Sequence, residues 1–178
     1  RLRGKAQEWA HKSNGCFPLS HTNGVGPDFV PWRVAQESAE LRERCVFGGV
    51  KSTSRAIEKT LFCYRLDPSR LLDVCRTRIV FGSVSELAYC VEVMCGDSEV
   101  VVTCFKNTLC GGRSETGFRA LTLYVRLRTD ELVRLSCSSL ICEVQLVPAE
   151  LARVSTPEQH TLYTHYRNLR DYSSASHF

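Results

Sequence analysis

Two β-branched runs with a helix start between them limit this fold more than any other feature. Val74–Phe81 and Val100–Lys106 are rich in valine, isoleucine and threonine, the composition of strands. Between them Ser83-Val84-Ser85-Glu86 has the form of a capping box, in which a serine hydroxyl and a glutamate three residues on satisfy each other's orphan N–H groups. The helix it opens has Leu87, Val91 and Met94 on one face. Strand, helix and strand in succession predict two neighbouring parallel strands joined by a right-handed crossover. Downstream, Phe118–Arg128 alternates well: Leu121, Leu123, Val125 and Leu127 face one way, Thr122, Tyr124 and Arg126 the other. Thr129–Leu132 is expected to turn the chain. Val133–Val147 should then return as a hairpin strand, bulged near Ser136–Ser139 and ended by Pro148.

Helical spacing is found on both sides of this core. Pro31–Cys45 reads as one helix, with Val34, Ala35, Ser38, Leu41 and Cys45 on a face and Gly48-Gly49 breaking it. Ser52–Tyr64 reads as a second, and Thr156-Pro157-Glu158-Gln159 starts a third that runs to about Arg170, with Leu162, Tyr166 and Leu169 inward. The order α, α, β, α, β, β, β, α predicts an α+β fold with a mixed β-sheet of four to five strands flanked by helices. Residues 1–30 are polar, with Pro18, Gly24, Gly26 and Pro27, and are expected to form an extended N-terminal arm. The domain proper should span 31–172, and 173–178 is a polar tail. A chain of 178 residues is long enough for one domain that buries roughly 70% of its unfolded surface. The first residue is Arg1, which predicts a processed or excised chain. No apolar run of about 18 residues occurs, so no membrane-spanning helix is expected.

Ten cysteines are present, yet no C-x-x-C pair, so zinc-finger and zinc-ribbon spacings are excluded. Most of them interrupt apolar runs and are expected to be reduced thiols acting as small hydrophobes. That points to a reducing intracellular location, cytoplasmic or mitochondrial. The net charge of +4 suits a phosphate-bearing ligand or RNA without requiring either.

Several residues could carry chemistry. Lys51, Arg55 and Lys59 are spaced i, i+4, i+8, a cationic stripe starting at the N-terminus of the Ser52 helix. Helix N-termini favour anions, so the stripe could cradle phosphates; it could equally be a solvated basic face. Asp73 stands at the mouth of the first long strand, with Arg78 five residues on. Glu143 and Gln145 share one face of the last strand. Asp73 and Glu143 could converge on Mg2+, a hard cation that takes oxygen ligands, or could each pair with an arginine at the sheet edge. No Ser/His/Asp or Cys/His arrangement and no glycine-rich phosphate loop after a strand is present.

In this order VKSTSRAIEK, LLDVCRTRIVF, VVTCFKN, TGFRALTLYV, CEVQL and HTLYTHYR resemble the synthetase domain of the RelA/SpoT family, over about residues 45–170. The form GFRALTLYV looks closest to divergent copies from microbial eukaryotes. Those enzymes move a pyrophosphoryl group from ATP to the 3′-hydroxyl of a guanine nucleotide. The resemblance implies a RelA/SpoT-like, nucleotidyltransferase-like fold that binds ATP or another nucleotide with Mg2+. By it, Lys51, Ser52 and Lys59 meet the ATP phosphates, Asp73 and Glu143 are the metal and catalytic carboxylates, and Arg78 stacks on adenine. Gln145 accompanies Glu143, Lys106 with Asn107 precedes the acceptor pocket, and Phe118 stacks the acceptor base. The chain also departs from the family pattern. Gly49 stands for an arginine, Ala120 and Thr122 for the serine and histidine of the acceptor motif, and Val147 for another arginine. The donor side is mostly kept and the acceptor side mostly rewritten.

Two functions follow. One is a nucleotide pyrophosphokinase with an altered acceptor site. The other is a catalytically inactive structural or RNA-contacting component of a large eukaryotic assembly, such as an organellar ribosome.

Overall fold

A computed structural model of the chain describes residues 1–20, 28–110, 118–155, 161–162 and 164–166. Its centre is a six-stranded mixed sheet. In chain order the elements are α1 (Leu2–Ser13), β1 (Cys16–Pro18), β2 (Phe29–Pro31), α2 (Trp32–Ala35), α3 (Ala39–Arg44) and α4 (Thr53–Cys63). Then come β3 (Cys75–Phe81), α5 (Val84–Cys95), β4 (Val100–Asn107), β5 (Leu121–Leu127), α6 (Asp130–Arg134), β6 (Ile141–Pro148) and α7 (Ala149–Val154). The strand order is β2-β1-β3-β6-β5-β4. Only β3 and β6 run parallel as neighbours; the other pairs are antiparallel.

The capping box forms as expected: the Ser83 hydroxyl accepts from the Glu86 N–H, and the Glu86 carboxylate accepts from the Ser83 N–H. β3, β4 and β5 lie where the alternation places them. The expected adjacency of β3 and β4 does not hold. β4, β5 and β6 form an antiparallel meander, and its last strand docks on β3, so β5 and β6 separate the two.

The described residues of the expected arm, 1–20 and 28–30, do not form a simple arm. The buried Ala6, Trp9 and Ala10 of α1 pack into the main core, while β1 and β2 extend the sheet past β3. The helix expected over Pro31–Cys45 is broken into α2 and α3, and the Ser38 hydroxyl caps the second. Val133–Val147 is not one strand. α6 occupies its start, capped by the Thr129 hydroxyl, and pairing with β5 begins at Ile141. Of the expected last helix, 161–162 and 164–166 are described and helical, with Leu162 and Tyr166 exposed rather than inward. Its capping box, Leu169 and the tail lie outside the described residues.

Alternation gives the sheet two unlike faces. Ile79 and Phe81 of β3, Cys142, Val144 and Leu146 of β6, and Leu123, Val125 and Leu127 of β5 belong to the main core, with Leu87, Cys90 and Met94 of α5 and the apolar side of α1. The opposite face is polar over much of its extent. A smaller cluster of Val80, Ala120, Val147 and Ala152, with Phe118 against it, closes that face at the C-terminal ends of β3 and β6.

Candidate functional site

The polar face carries two rows of side chains set by strand register. In one row Lys106 of β4 pairs with Thr122 of β5, Thr122 with Gln145 of β6, and Gln145 with Arg78 of β3. In the next, Cys104 pairs with Tyr124, Tyr124 with Glu143, and Glu143 with Arg76. Residues paired across strands lie on the same face, so sequence-distant groups are gathered here by pairing alone.

Asp73 sits two residues ahead of β3 and is buried. Its Oδ2 accepts a close hydrogen bond from Lys51 Nζ and an ion pair from Lys59 Nζ at 3.0 Å. Its Oδ1 is buried and has no hydrogen-bond partner. Burial alone would push the Asp73 carboxyl up, but the Lys51 hydrogen bond and the Lys59 charge outweigh it and hold the group below its ordinary value. Lys51 lies below its ordinary value, chiefly because burial disfavours its charge; the pairing with Asp73 opposes this and repulsion from Lys59 adds to it. Burial also acts against the charge of Lys59, but Asp73 and Tyr64 more than offset it and raise the group.

Lys51 does not reach this place as part of a helical stripe. It precedes α4 in an extended segment bridged to β3 at Val50 and Cys75, and its N–H donates to the Val74 carbonyl at 2.8 Å. Gly48 allows the close approach. A Cβ there would stand 2.2 Å from the Arg76 carbonyl oxygen and 2.5 Å from the Thr77 Cα. In the sequence Gly48 reads as a helix breaker and offers no sign of this packing role. Lys59 comes from the middle of α4, its ammonium 5.3 Å from the centre of the Tyr64 ring; Arg70 approaches the same ring at 5.5 Å.

Glu143 is also buried, and its Oε1 accepts from Gln145 Nε2 at 2.7 Å. Gln145 Oε1 in turn accepts from Arg78 Nε at 3.1 Å and Nη2 at 3.0 Å. Arginine can only donate and a carboxylate can only accept, so the amide has one workable orientation. The Arg78 guanidinium stands 5.7 Å from the centre of the Phe118 ring. Tyr124, opposite Glu143, has its phenol raised, by burial first and then by the charge of Glu143 and of Tyr64, with a smaller effect from Asp73. The phenol therefore lies in the field of both carboxylates.

The predicted residues thus fall into three sets. Lys51, Lys59 and Asp73 converge, and Arg78, Gln145 and Glu143 form a second linked group beside Phe118. Lys106 shares the face but is exposed on the edge strand, and Ser52 is exposed at the N-cap of α4 without a side-chain cap bond. Arg55 does not join the lysines. Its guanidinium pairs with Glu58 at 2.9 Å and donates to the Thr164 hydroxyl at 2.8 Å. Tyr124, Tyr64 and Arg76 were not singled out in the sequence. The only signal for Tyr124 was its place on the polar side of an alternating strand.

A divalent cation would need oxygen donors. Asp73 Oδ1 is such an acceptor, buried and unclaimed, and Glu143 adds a second carboxylate on the same face, so the residues fit the group. No cluster of three or more metal-ligating side chains is found among the described residues. No helix among them is long and apolar enough to cross a membrane.

No family model matches the sequence, and no curated protein matches it. The fold does match solved structures. The small alarmone synthetase 1 from Bacillus subtilis, bound to its product pppGpp, superposes with a TM-score of 0.50 at 17% identity, over 71% of this chain and 71% of that one. A GTP pyrophosphokinase family protein from Streptococcus pneumoniae superposes with a TM-score of 0.52 at 12% identity, over 79% of this chain and 78% of that one. The chain therefore has the fold of the RelA/SpoT-like small alarmone synthetases.

Proposed function

We propose that the polar sheet face binds a nucleoside triphosphate with Mg2+ and transfers its pyrophosphoryl group to a nucleotide hydroxyl. The observation that carries this reading is the convergence of two lysines on one buried carboxylate that keeps an orphan oxygen, beside the Arg78–Gln145–Glu143 chain. Lys51, Lys59 and Arg78 against Asp73 and Glu143 leave net positive charge at the cleft, which suits a polyphosphate.

In this reading Lys51 and Lys59 turn from Asp73 to the triphosphate oxygens. Asp73 and Glu143 would hold Mg2+, which when bound would offset charge on the phosphates. Arg78 offers its guanidinium plane to the donor base, with Gln145 fixing its orientation. The acceptor hydroxyl oxygen attacks the β-phosphorus, and the bond from that phosphorus to the oxygen bridging to the α-phosphate breaks. The nucleoside monophosphate leaves, and the hydroxyl proton passes to Glu143. Tyr124 and Gln145 hold that carboxylate in place. Phe118 and Lys106 face the acceptor. Ala120 and Thr122, small where the family pattern has a serine and a histidine, leave the identity of the acceptor base open to change.

A second reading, binding without turnover, is favoured by one feature: the Asp73 carboxylate is already neutralised by two lysines. Titration calorimetry with ATP, with and without Mg2+, followed by a pyrophosphoryl-transfer assay with guanine nucleotides, separates the two. Lys51→Ala should weaken ATP binding about 10- to 100-fold, the worth of a charge-assisted hydrogen bond. Glu143→Ala should abolish transfer. The enzymatic reading fails if Glu143→Ala changes neither Mg2+-dependent binding nor turnover.

A further inference from the structure

A cysteine stands close in the chain to each of the two carboxylates. Cys75 follows Asp73 by two residues and Cys142 directly precedes Glu143. They are register partners on the parallel strands β3 and β6. Among the described strands this is the one position where two cysteines pair. Both side chains project to the core face, and both are free thiols. Neighbouring strands run about 4.8 Å apart. That separation falls within the Cα range of disulfides, roughly 4.4–6.8 Å. We propose that Cys75 and Cys142 form an oxidisable dithiol site, a site of covalent modification that closes to a disulfide across β3 and β6 when a hydroperoxide reaches it.

The two thiols differ in access. Cys142 is buried, whereas Cys75 is half-buried at the start of β3, beside the Gly48–Val50 segment that bridges to it and whose Val50 is 74% exposed. Cys75, the more accessible of the two, is therefore the group positioned to react first. Its thiolate attacks the peroxide O–O bond, forming a sulfenic acid and releasing an alcohol or water. The Cys142 sulfur then attacks the sulfenic sulfur, the S–S bond forms, and water leaves with the Cys142 proton. Two thiols lose two electrons and two hydrogens in all, and the peroxide takes them up. The bridge ties together the two strands that carry Asp73 and Glu143. It depends on register alone and not on the reading of the polar face as a nucleotide site.

The test uses the full chain treated with hydrogen peroxide, then with a thiol-blocking reagent, and analysed by mass spectrometry. The expected result is a loss of about 2 Da from two hydrogens and a tryptic cross-link between the peptides containing Cys75 and Cys142, reversed by a dithiol reductant. The Cys142 peptide also carries Cys137, so the cross-link must persist in Cys137→Ser. It must vanish in both Cys75→Ser and Cys142→Ala, each confirmed as folded by circular dichroism. The proposal is overturned if peroxide oxidises only exposed thiols such as Cys95 and Cys104, or if the cross-link survives Cys75→Ser.

Discussion

Asp73 shows how one residue can hold a site together and set its response to acid. Its carboxyl is held below the ordinary value of 3.8, so the unfolded chain binds a proton there more readily than the folded one. Stability from this group is therefore complete above that value and drains away as pH falls through the folded value. Asp73→Asn should remove it outright and leave the half-buried Lys51 and Lys59 without a counter-charge, at a cost of about 3 kcal/mol near neutral pH. Urea unfolding from pH 7 to pH 3 is the check: the gap between wild type and variant should be widest at neutral pH and close on acidification. Asp73 and Lys59 were legible in the sequence because a strand mouth and a helix face are local features. Arg55 was misplaced because its partner Thr164 lies 109 residues away. The helical spacing that draws attention to Lys51 does not hold, since α4 begins only at Thr53. Tyr124 carries no site signal in the sequence because its neighbour Glu143 is fixed by register, which alternation alone does not specify.

At the scale of elements, α1 is the instructive failure. Its buried side includes Lys5 and Ser13 along with Ala6, Trp9 and Ala10, so an apolar count finds little periodicity. Lys5 is tolerated there because its ammonium meets Asp97 at 3.0 Å and Glu99 at 2.6 Å, while Trp9 Nε1 donates to Asp97 at 3.0 Å. Burial opposes the Lys5 charge, but these carboxylates outweigh it and raise the group. The cluster fastens α1 to the turn between α5 and β4. Lys5→Met should leave Asp97 short of its counter-ion and destabilise the chain by about 3 kcal/mol, read from the shift in urea midpoint. α5 was legible for the opposite reason: its capping box and apolar face are both local. β1 and β2, at three residues each, are too short to show a period.

Over the whole molecule, the N-terminal segment belongs to the same sheet and core as the rest, so unfolding should be one transition. Trp9 and Trp32 lie in that segment and report on it by fluorescence, whereas far-ultraviolet circular dichroism reports mainly on the remainder. The two melting curves should coincide; an earlier fluorescence change would mean that residues 1–35 detach separately. Although the four to five strands expected become six through the short β1 and β2, the fold class was legible because the four long strands and α5 follow from local patterns. The position of β4 was not, since a crossover does not say which later strands will insert beside its origin.

The unlike faces of the sheet divide the strands by parity. On β6 the odd positions Glu143 and Gln145 serve the cleft and the even positions Cys142, Val144 and Leu146 serve the core, while on β5 the parity is reversed. Adjacent residues therefore answer to different demands. Replacements such as Ala120 and Thr122 can accumulate on the cleft side while the core-facing residues between and beyond them keep the sheet intact. A scaffold arranged in this way can exchange one ligand for another by changing every second letter of a strand.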